Sequence, residues 1–490
     1  MEEKSLKKKT LSGLFWAFGE RILAQLVSFI VSIVLARLLL PEQYGVVTLC
    51  NIFITICNVF VTSGFGSALV QKKDADDLDF SSILYSSVII SIVLYTILFF
   101  TAPYIAAFYE KYDQNTIISV IRIMSLRLPL AAYNSVQHAY VSKKMMFKKF
   151  FWSTLFGTIV SGGVGIFLAY KGYGVYALVF QYLTNVTIDT IVLTITLRWF
   201  PKLKYSFTRF KTLFKYGWKL LVSSLLDTGY NELRSLVIGK KYSSSDLAYY
   251  DKGRQFPSLI VTNINSSIDK VLFPVISELQ DDKVKVKETT RRAIKTSSYV
   301  MFPLLVGLAV VAEPVVKILL TNKWIDCVPF LQIMCFVYAF YPIHTANLQA
   351  IKAMGRSDLF LVLEIVKKVL GIVILIVTMR YGVLWIALGQ IISAVISSLI
   401  NSWPNRKLLN YGYLEQIKDI MPSLLAALFM GVCVYLFNLL SINIYLKLVI
   451  QVLVGALIYF AISIIFKLES YNFLKSLLFS LITKKNHSKE

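Results

Sequence analysis

Long apolar runs recur along the whole chain, and short polar segments separate each run from the next. A run of about 20 apolar residues is long enough to cross the hydrocarbon core of a bilayer, about 30 Å thick, as an α-helix. The pattern therefore predicts an all-α membrane protein with about fourteen transmembrane helices. These cover about 11–36, 44–69, 80–107, 116–141, 150–170, 174–198, 214–239, 247–276, 294–318, 327–351, 359–379, 382–403, 420–440 and 443–466.

Composition supports this class. The mean hydropathy is +0.64 and 16% of residues are charged, whereas soluble proteins contain about 25%. The longest connections, 200–213 and 278–293, are about fifteen residues each, so they leave no room for a soluble domain. The five cysteines have neither disulfide nor metal-site spacing, and we expect them to serve in packing.

The distribution of lysine and arginine predicts the orientation. Alternate loops together with the two ends of the chain carry about 32 basic residues, and the opposite loops carry about 9. The positive-inside rule then places both termini in the cytoplasm, which requires an even number of helices. The net charge of +23 is dispersed over eight cytoplasmic segments, so we do not expect nucleic acid to be a partner.

Three pairs of short motifs indicate an internal duplication, with offsets within about 204–213 residues. The pairs are Tyr173-Gly174-Val175 with Tyr381-Gly382-Val383, Pro129 and Gln137 with Pro342 and Gln349, and, more loosely, 41–45 with 245–249. We therefore predict two pseudo-symmetric six-helix lobes around a central cavity, at 1–212 and 213–405. Residues 406–490 would add helices 13 and 14 and a cytoplasmic amphipathic tail.

Ten basic residues lie at least five residues from either end of a predicted span, and a cation near the bilayer centre costs roughly 2.5–3.5 kcal/mol. They are Arg21, Arg122, Arg127, Lys219, Arg234, Lys252, Arg254, Lys270, Lys367 and Lys368. Such a side chain must pair with a carboxylate, reach the headgroups or line a water-filled cavity. The last of these predicts a basic chamber that accepts an anion.

Predicted helices 1, 2, 7 and 8 carry polar residues three and four positions apart, which places each set on one helix face. On helix 2 alone, helix–helix contacts explain the pattern equally well. On helices 7 and 8 the cations favour a hydrated cavity. The candidate substrate-binding cations are Arg21, Lys219, Arg234, Lys252, Arg254, Lys270 and Arg122, and the candidate polar lining is Gln25, Asn51, Asn58, Ser223, Asn231 and Gln255.

Other intramembrane charges leave alternatives open. Arg122 and Arg127 point about 140° apart on helix 4, so at most one faces any given partner. Lys367 and Lys368 lie three and four residues after Glu364, a spacing that suits an ion pair as well as a ligand site. Asp189 and Asp227 are candidates for ion coupling, because a carboxylate buried in an apolar span can be protonated near neutral pH.

The exit of helix 1 resembles a known family. The run 35–45 (LARLLLPEQYG), the run 64–71 (GFGSALVQ) and Trp16 are similar to the N-terminal signature of polysaccharide transporters of the multidrug/oligosaccharidyl-lipid/polysaccharide (MOP) superfamily, with the Wzx-type flippases as the most similar group. The resemblance implies a V-shaped pair of lobes with a cavity lined by helices 1, 2, 7 and 8.

The resemblance also implies the activity. Its substrate would be an undecaprenyl-pyrophosphate-linked oligosaccharide for O-antigen, capsule or exopolysaccharide. The protein would move it from the inner to the outer leaflet of the bacterial cytoplasmic membrane by ion-coupled alternating access. The expected partners are this substrate, membrane lipids, and the polysaccharide polymerase with its chain-length machinery.

Three other functions were compared with this one. A lipid II flippase would also have a basic cavity. A multidrug/cation antiporter would need an acidic cavity, whereas the spans hold ten basic residues against about seven carboxylates. An enzyme is disfavoured, because the largest outer loop has about ten residues. The chain has no GxxxxGK[ST] motif, and we predict no catalytic residues, metal or cofactor.

Overall fold

The computed structural model describes residues 23–476, apart from the side chains of 267 and 269–271 in one helix. Within this part of the chain every regular element is a helix, so the predicted all-α class is confirmed. The helices are α1 (Leu23–Leu38), α2 (Pro41–Gln71), α3 (Asp77–Phe108), α4 (Gln114–Lys143), α5 (Phe147–Tyr170), α6 (Val175–Leu197), α7 (Phe207–Lys241), α8 (Ser244–Glu278), α9 (Lys283–Val310), α10 (Asn322–Ala353), α11 (Ser357–Thr378), α12 (Val383–Leu408), α13 (Tyr413–Leu439) and α14 (Ile444–Ile465).

These helices coincide in order with the fourteen predicted spans. Ten of them are long and apolar enough to cross a membrane, namely α2–α6, α9, α10 and α12–α14. The described part of α1 is a shorter apolar helix. Helices α7, α8 and α11 contain seven of the ten basic residues named above. A short helix, Ala312–Leu319, lies between α9 and α10, and residues 469–476 form a further helical segment after α14.

Polar side chains at the helix ends explain where several helices begin. The carboxylate of Asp76 accepts a hydrogen bond from the backbone N–H of Asp79 at the start of α3 (3.0 Å). Asp113 caps α4 through the N–H of Thr116 (3.0 Å), and the hydrogen bonds from the Thr116 hydroxyl and backbone lower the pKa of this carboxyl group. Such caps satisfy N–H groups that have no partner inside the helix.

Helices α4 and α10 are interrupted, and the two proline residues matched in the predicted repeat lie at the interruptions. Leu126 separates Gln114–Ser125 from Arg127–Lys143, with Pro129 in the first turn of the second segment. In α10 the break precedes Tyr341–Ala353, whose second residue is Pro342. Proline removes a backbone hydrogen bond and permits a kink. The fourth helix of each predicted repeat is therefore broken at the corresponding place.

The contacts divide the chain into two compact units, Met1–Ala248 and Tyr249–Glu490, with the boundary in the first turn of α8. In the first unit α7 packs against α2, so this unit includes a helix that the predicted repeat boundary at 212 assigns to the second lobe. In the second unit α13 packs along α9, and α14 packs on α13. The duplication into 1–212 and 213–405, with 406–490 appended, stays a prediction about the repeat.

Candidate functional site

The predicted polar stripe on α7 lies on the exposed side of that helix. Lys219, Ser223, Asp227 and Asn231 are all exposed, whereas Gly217 on the opposite side is buried against α2. Arg234 is half-buried, and its Nη2 donates a hydrogen bond to the hydroxyl of Tyr230 (3.3 Å). Within residues 23–476, neither Lys219 nor Arg234 forms an ion pair.

Helix α8 begins with two candidate cations in different surroundings. Lys252 is buried; its Nζ donates a hydrogen bond to Oε1 of Gln255 (3.2 Å) and lies 5.7 Å from the ring centroid of Trp324. Arg254 forms an ion pair with Asp251 (3.2 Å). The structure therefore joins Lys252 to the predicted lining residue Gln255. Two further candidate side chains, those of Arg21 and Lys270, lie outside the described set.

On α2, Asn51 is the predicted lining residue with the most informative contact. Its Oδ1 accepts a hydrogen bond from Nη1 of Arg127 on α4 (2.9 Å), and its Nδ2 donates to Oγ1 of Thr55 (3.3 Å). The candidate Arg122 lies elsewhere, with its guanidinium 4.1 Å from the ring centroid of Phe99 and Nε donating to the Phe99 carbonyl (3.2 Å). The candidates Asn58 on α2 and Gln25 on α1 are half-buried.

Arg127 is thus a residue that the candidate list left out. The 140° angle between Arg122 and Arg127 showed that the two arginines face different ways, but only packing showed which of them faces α2. The break at Leu126 also lies immediately before Arg127 and changes the direction of its side chain relative to a continuous helix.

The candidate coupling residue Asp189 lies between α4 and α6 in the first unit. Its Oδ2 accepts a hydrogen bond from Nδ2 of Asn134 (2.8 Å) and lies 3.1 Å from Nε2 of His138. The Asp189 side chain is only 15% exposed, whereas that of His138 is 39% exposed. Both partners come from another helix, so spacing along α6 could not reveal them. The second candidate, Asp227, is exposed on α7.

The structure decides one alternative that the sequence left open. Nζ of Lys367 lies 2.6 Å from Oε1 of Glu364, one turn earlier on α11. This local ion pair supplies the carboxylate that an intramembrane lysine needs.

An apolar cavity of about 820 Å³ lies in the second unit, lined by α9, α13, α14 and the segment after α14. Tyr299, Met430 and Tyr459 lie on its walls, and Lys475 lies among its lining residues. The segment after α14 is held against α9 by an ion pair between Lys295 and Glu469 (2.6 Å). The pattern of apolar residues does not predict this cavity, because its walls come from helices far apart in the chain.

Comparisons with known proteins agree on one group. The profile of the family described as "Polysaccharide biosynthesis protein" matches residues 34–329. The chain is 22% identical over 466 residues to the teichuronic acid biosynthesis protein TuaB of Bacillus subtilis (strain 168), which covers 93% of this chain and 95% of that protein. It is 21% identical over 400 residues to the lipopolysaccharide biosynthesis protein WzxC of Escherichia coli (strain K12), which covers 81% of each.

Among solved structures, the lipid II flippase MurJ in an inward closed conformation matches with a TM-score of 0.75 at 18% identity. The match covers 93% of this chain and 98% of that one. At this level of identity the likeness shows a shared fold.

Proposed function

The chain belongs to the family described as "Polysaccharide biosynthesis protein", and from this premise we propose that it is a multi-pass transporter of the MOP superfamily that acts as a flippase for lipid-linked oligosaccharides. The proposed substrate is an undecaprenyl-pyrophosphate-linked repeat unit of O-antigen, capsule or exopolysaccharide. The protein would move it from the inner to the outer leaflet of the bacterial cytoplasmic membrane by alternating access. In this proposal both termini are cytoplasmic, and the polymerase and chain-length machinery take up the product.

The observation that carries the proposal is the state of Lys219 and Arg234 on α7. Both are cations in a predicted membrane span, and neither forms an ion pair among the described residues. An intramembrane cation without a carboxylate partner is expensive unless water or an anionic ligand compensates it. A pyrophosphate supplies two or more negative charges, and arginine binds phosphate oxygens in a bidentate manner while lysine acts as a point charge.

The apolar cavity in the second unit supports a lipid-linked substrate. Its volume of about 820 Å³ is within the usual range of ligand pockets, and apolar side chains dominate its walls. Burial of a hydrocarbon chain contributes about 0.8 kcal/mol for each CH₂ group. We infer that part of the prenyl chain binds in this cavity.

We include ion coupling in the proposal, with Asp189 favoured over Asp227. Asp189 is mostly buried and lies within hydrogen-bonding distance of His138, which is more exposed. A buried carboxylate next to an imidazole can exchange a proton with water through that ring. Asp227, by contrast, is exposed on α7.

A lipid II flippase is the second candidate, because the fold is shared with MurJ and the substrate anchor has the same chemistry. Both proposed functions involve a substrate with a pyrophosphate and a prenyl chain, so the cations of α7 do not distinguish one function from the other. The two are distinguished by whether the chain restores surface polysaccharide in a strain that lacks its own flippase, or restores growth in a strain depleted of lipid II flipping.

The proposal is tested by transport of a fluorescent polyprenyl-pyrophosphate-linked oligosaccharide in proteoliposomes that contain the full chain. The wild type should transfer it between leaflets, and Lys219→Gln combined with Arg234→Gln should reduce the rate about tenfold or more, because a lost charge-assisted hydrogen bond costs about 1.5–3 kcal/mol. Lys211→Gln, an exposed change near the start of the same helix, is the matched control and should transport normally. Normal transport by the double variant would contradict the role of α7.

A further inference from the structure

Arg127 is a cation inside the first unit whose described contacts are all uncharged. Its Nη1 donates to Oδ1 of Asn51 (2.9 Å), and its guanidinium carbon lies 5.1 Å from the ring centroid of Tyr182 on α6. Its Nε is buried and has no hydrogen-bond partner. Among residues 23–476 no carboxylate forms an ion pair with it, so the positive charge is held by an amide and an aromatic ring alone.

The position of Arg127 in α4 rules out the headgroups as its partner. It is thirteen residues from Gln114 and sixteen from Lys143, the two ends of the helix. At 1.5 Å per residue, these distances correspond to about 20 and 24 Å along the axis. A side chain this deep cannot reach either interface, which leaves water or an anion as the means of compensating the charge.

One edge of the Arg127 guanidinium has no hydrogen-bond partner among the described residues. Nη1 is engaged by Asn51, whereas the edge formed by Nε and Nη2 makes no hydrogen bond within the described part of the chain. Two parallel N–H groups on one edge of an arginine match two oxygens of a phosphate or carboxylate. The free edge is therefore suited to a bidentate anion and poorly suited to a single neutral acceptor.

We propose that Arg127, positioned by Asn51 and Tyr182, binds a phosphate group of the lipid-linked substrate between α2, α4 and α6. This inference rests on the proposed flippase function and adds a binding residue to it. Arg127 immediately follows the break in α4 at Leu126, and Pro129 weakens the backbone hydrogen bonding there. The present conformation covers Nε, so the proposal requires α4 to bend at this break before a phosphate can reach that atom.

The test measures ligand binding to the full chain in lipid nanodiscs, with three probes. These are a polyprenyl pyrophosphate, the polyprenol of the same length, and inorganic pyrophosphate. The wild type should bind the polyprenyl pyrophosphate more tightly than the polyprenol, and Arg127→Gln should weaken binding of the pyrophosphate probe about tenfold or more without changing polyprenol binding. Arg356→Gln removes an exposed arginine that pairs with Asp358 (2.8 Å) and should bind all three probes like the wild type.

Asn51→Asp keeps the inference falsifiable if Arg127→Gln fails to fold. A carboxylate at this position supplies an internal counter-ion next to the guanidinium, so thermal stability should rise while affinity for the polyprenyl pyrophosphate falls about tenfold. If Arg127 serves only the fold, the same change would raise stability and leave binding as it was. If the Asn51→Asp protein is folded and its affinity for the polyprenyl pyrophosphate is unchanged, Arg127 does not bind the phosphate.

The probes separate failure of this site from failure of the proposed function. A wild type that binds polyprenol and polyprenyl pyrophosphate equally would contradict the function as a whole. A wild type that distinguishes them, together with an Arg127→Gln variant that distinguishes them equally well, would contradict only the Arg127 site. Competition by inorganic pyrophosphate that Arg127→Gln abolishes supports the phosphate assignment. If the wild type binds inorganic pyrophosphate tightly but does not bind the polyprenyl pyrophosphate, the substrate assignment is wrong.

Discussion

Gly64 on α2 and Gly217 on α7 bring the backbones of these two helices into direct contact. A Cβ atom added at Gly64 would lie 2.4 Å from the carbonyl oxygen of Gly217, and one added at Gly217 would lie 3.0 Å from the Gly64 carbonyl group. Gly64 also has a φ of +91°, a conformation that other residues rarely adopt. Helix α2 is interrupted at Gly64, between Pro41–Thr62 and Phe65–Gln71, and the contact holds α7 against it at this point.

The first prediction concerns this contact. Gly64→Ala should destabilise the protein by about 1–3 kcal/mol, because the change adds both a steric clash and backbone strain. Gly217→Ala should cost less, since its φ is helical. Gly229→Ala, on the same helix, has no atom within 4 Å of the new Cβ and should leave stability equal or higher by up to about 1 kcal/mol. Thermal unfolding of the purified protein measures all three, and equal transitions for Gly64→Ala and Gly229→Ala would contradict the prediction.

A second prediction concerns Asp419, which collects several buried interactions in the second unit. Its carboxylate accepts a hydrogen bond from the Tyr411 hydroxyl (2.8 Å) and forms an ion pair with Arg291 (2.6 Å). Burial and this bond to Asp419 raise the pKa of Tyr411, so the tyrosine stays a donor. Asp419→Ala removes the acceptor of both groups and should destabilise the protein by about 3–5 kcal/mol.

The matched control for Asp419 is an exposed carboxylate. Asp358→Ala removes an exposed pair with Arg356 and should leave the unfolding transition close to that of the wild type. Thermal unfolding in one detergent gives both values. If the two variants lower the unfolding temperature by a similar amount, the hydrogen bond and ion pair of Asp419 contribute no more to stability than a surface ion pair.

The third prediction is the topology. Reporter fusions after Lys149, Lys211 and Asn405 should report a cytoplasmic location, because basic residues cluster in those loops. Fusions near Lys171, Tyr242 and Asn322 should report the opposite side. Reversed signals at two or more of these positions would contradict both the orientation and the predicted parallel repeat.

The fourth prediction concerns ion coupling. Asp189→Asn removes the charge while keeping the size of the side chain, and we expect transport in vesicles to lose its dependence on a proton gradient. His138→Gln should weaken that dependence, because it removes the imidazole 3.1 Å from the carboxylate. Asp227→Asn tests the other candidate. Unchanged gradient dependence in both aspartate variants would assign these residues to polar packing alone.

The sequence by itself determined the order of the long helices and the all-α class. A segment in hydrocarbon must satisfy its backbone hydrogen bonds internally, so the length of each apolar run predicts a helix whatever its neighbours are. Local spacing also predicted contacts within one helix. The pair of Lys367 and Glu364 is an example, because residues three apart on a helix are always neighbours.

Contacts between helices were decided only by the tertiary structure. Asp189 meets His138 and Asn134 from another helix, and Asn51 meets Arg127, which was not among the candidate substrate-binding cations. Spacing along one helix gives the angle between two side chains but not the rotation of that helix against its neighbours. That rotation depends on how closely backbones approach, as at Gly64 and Gly217, and on where a helix is broken, as at Leu126. Packing therefore decided which of Arg122 and Arg127 faces α2.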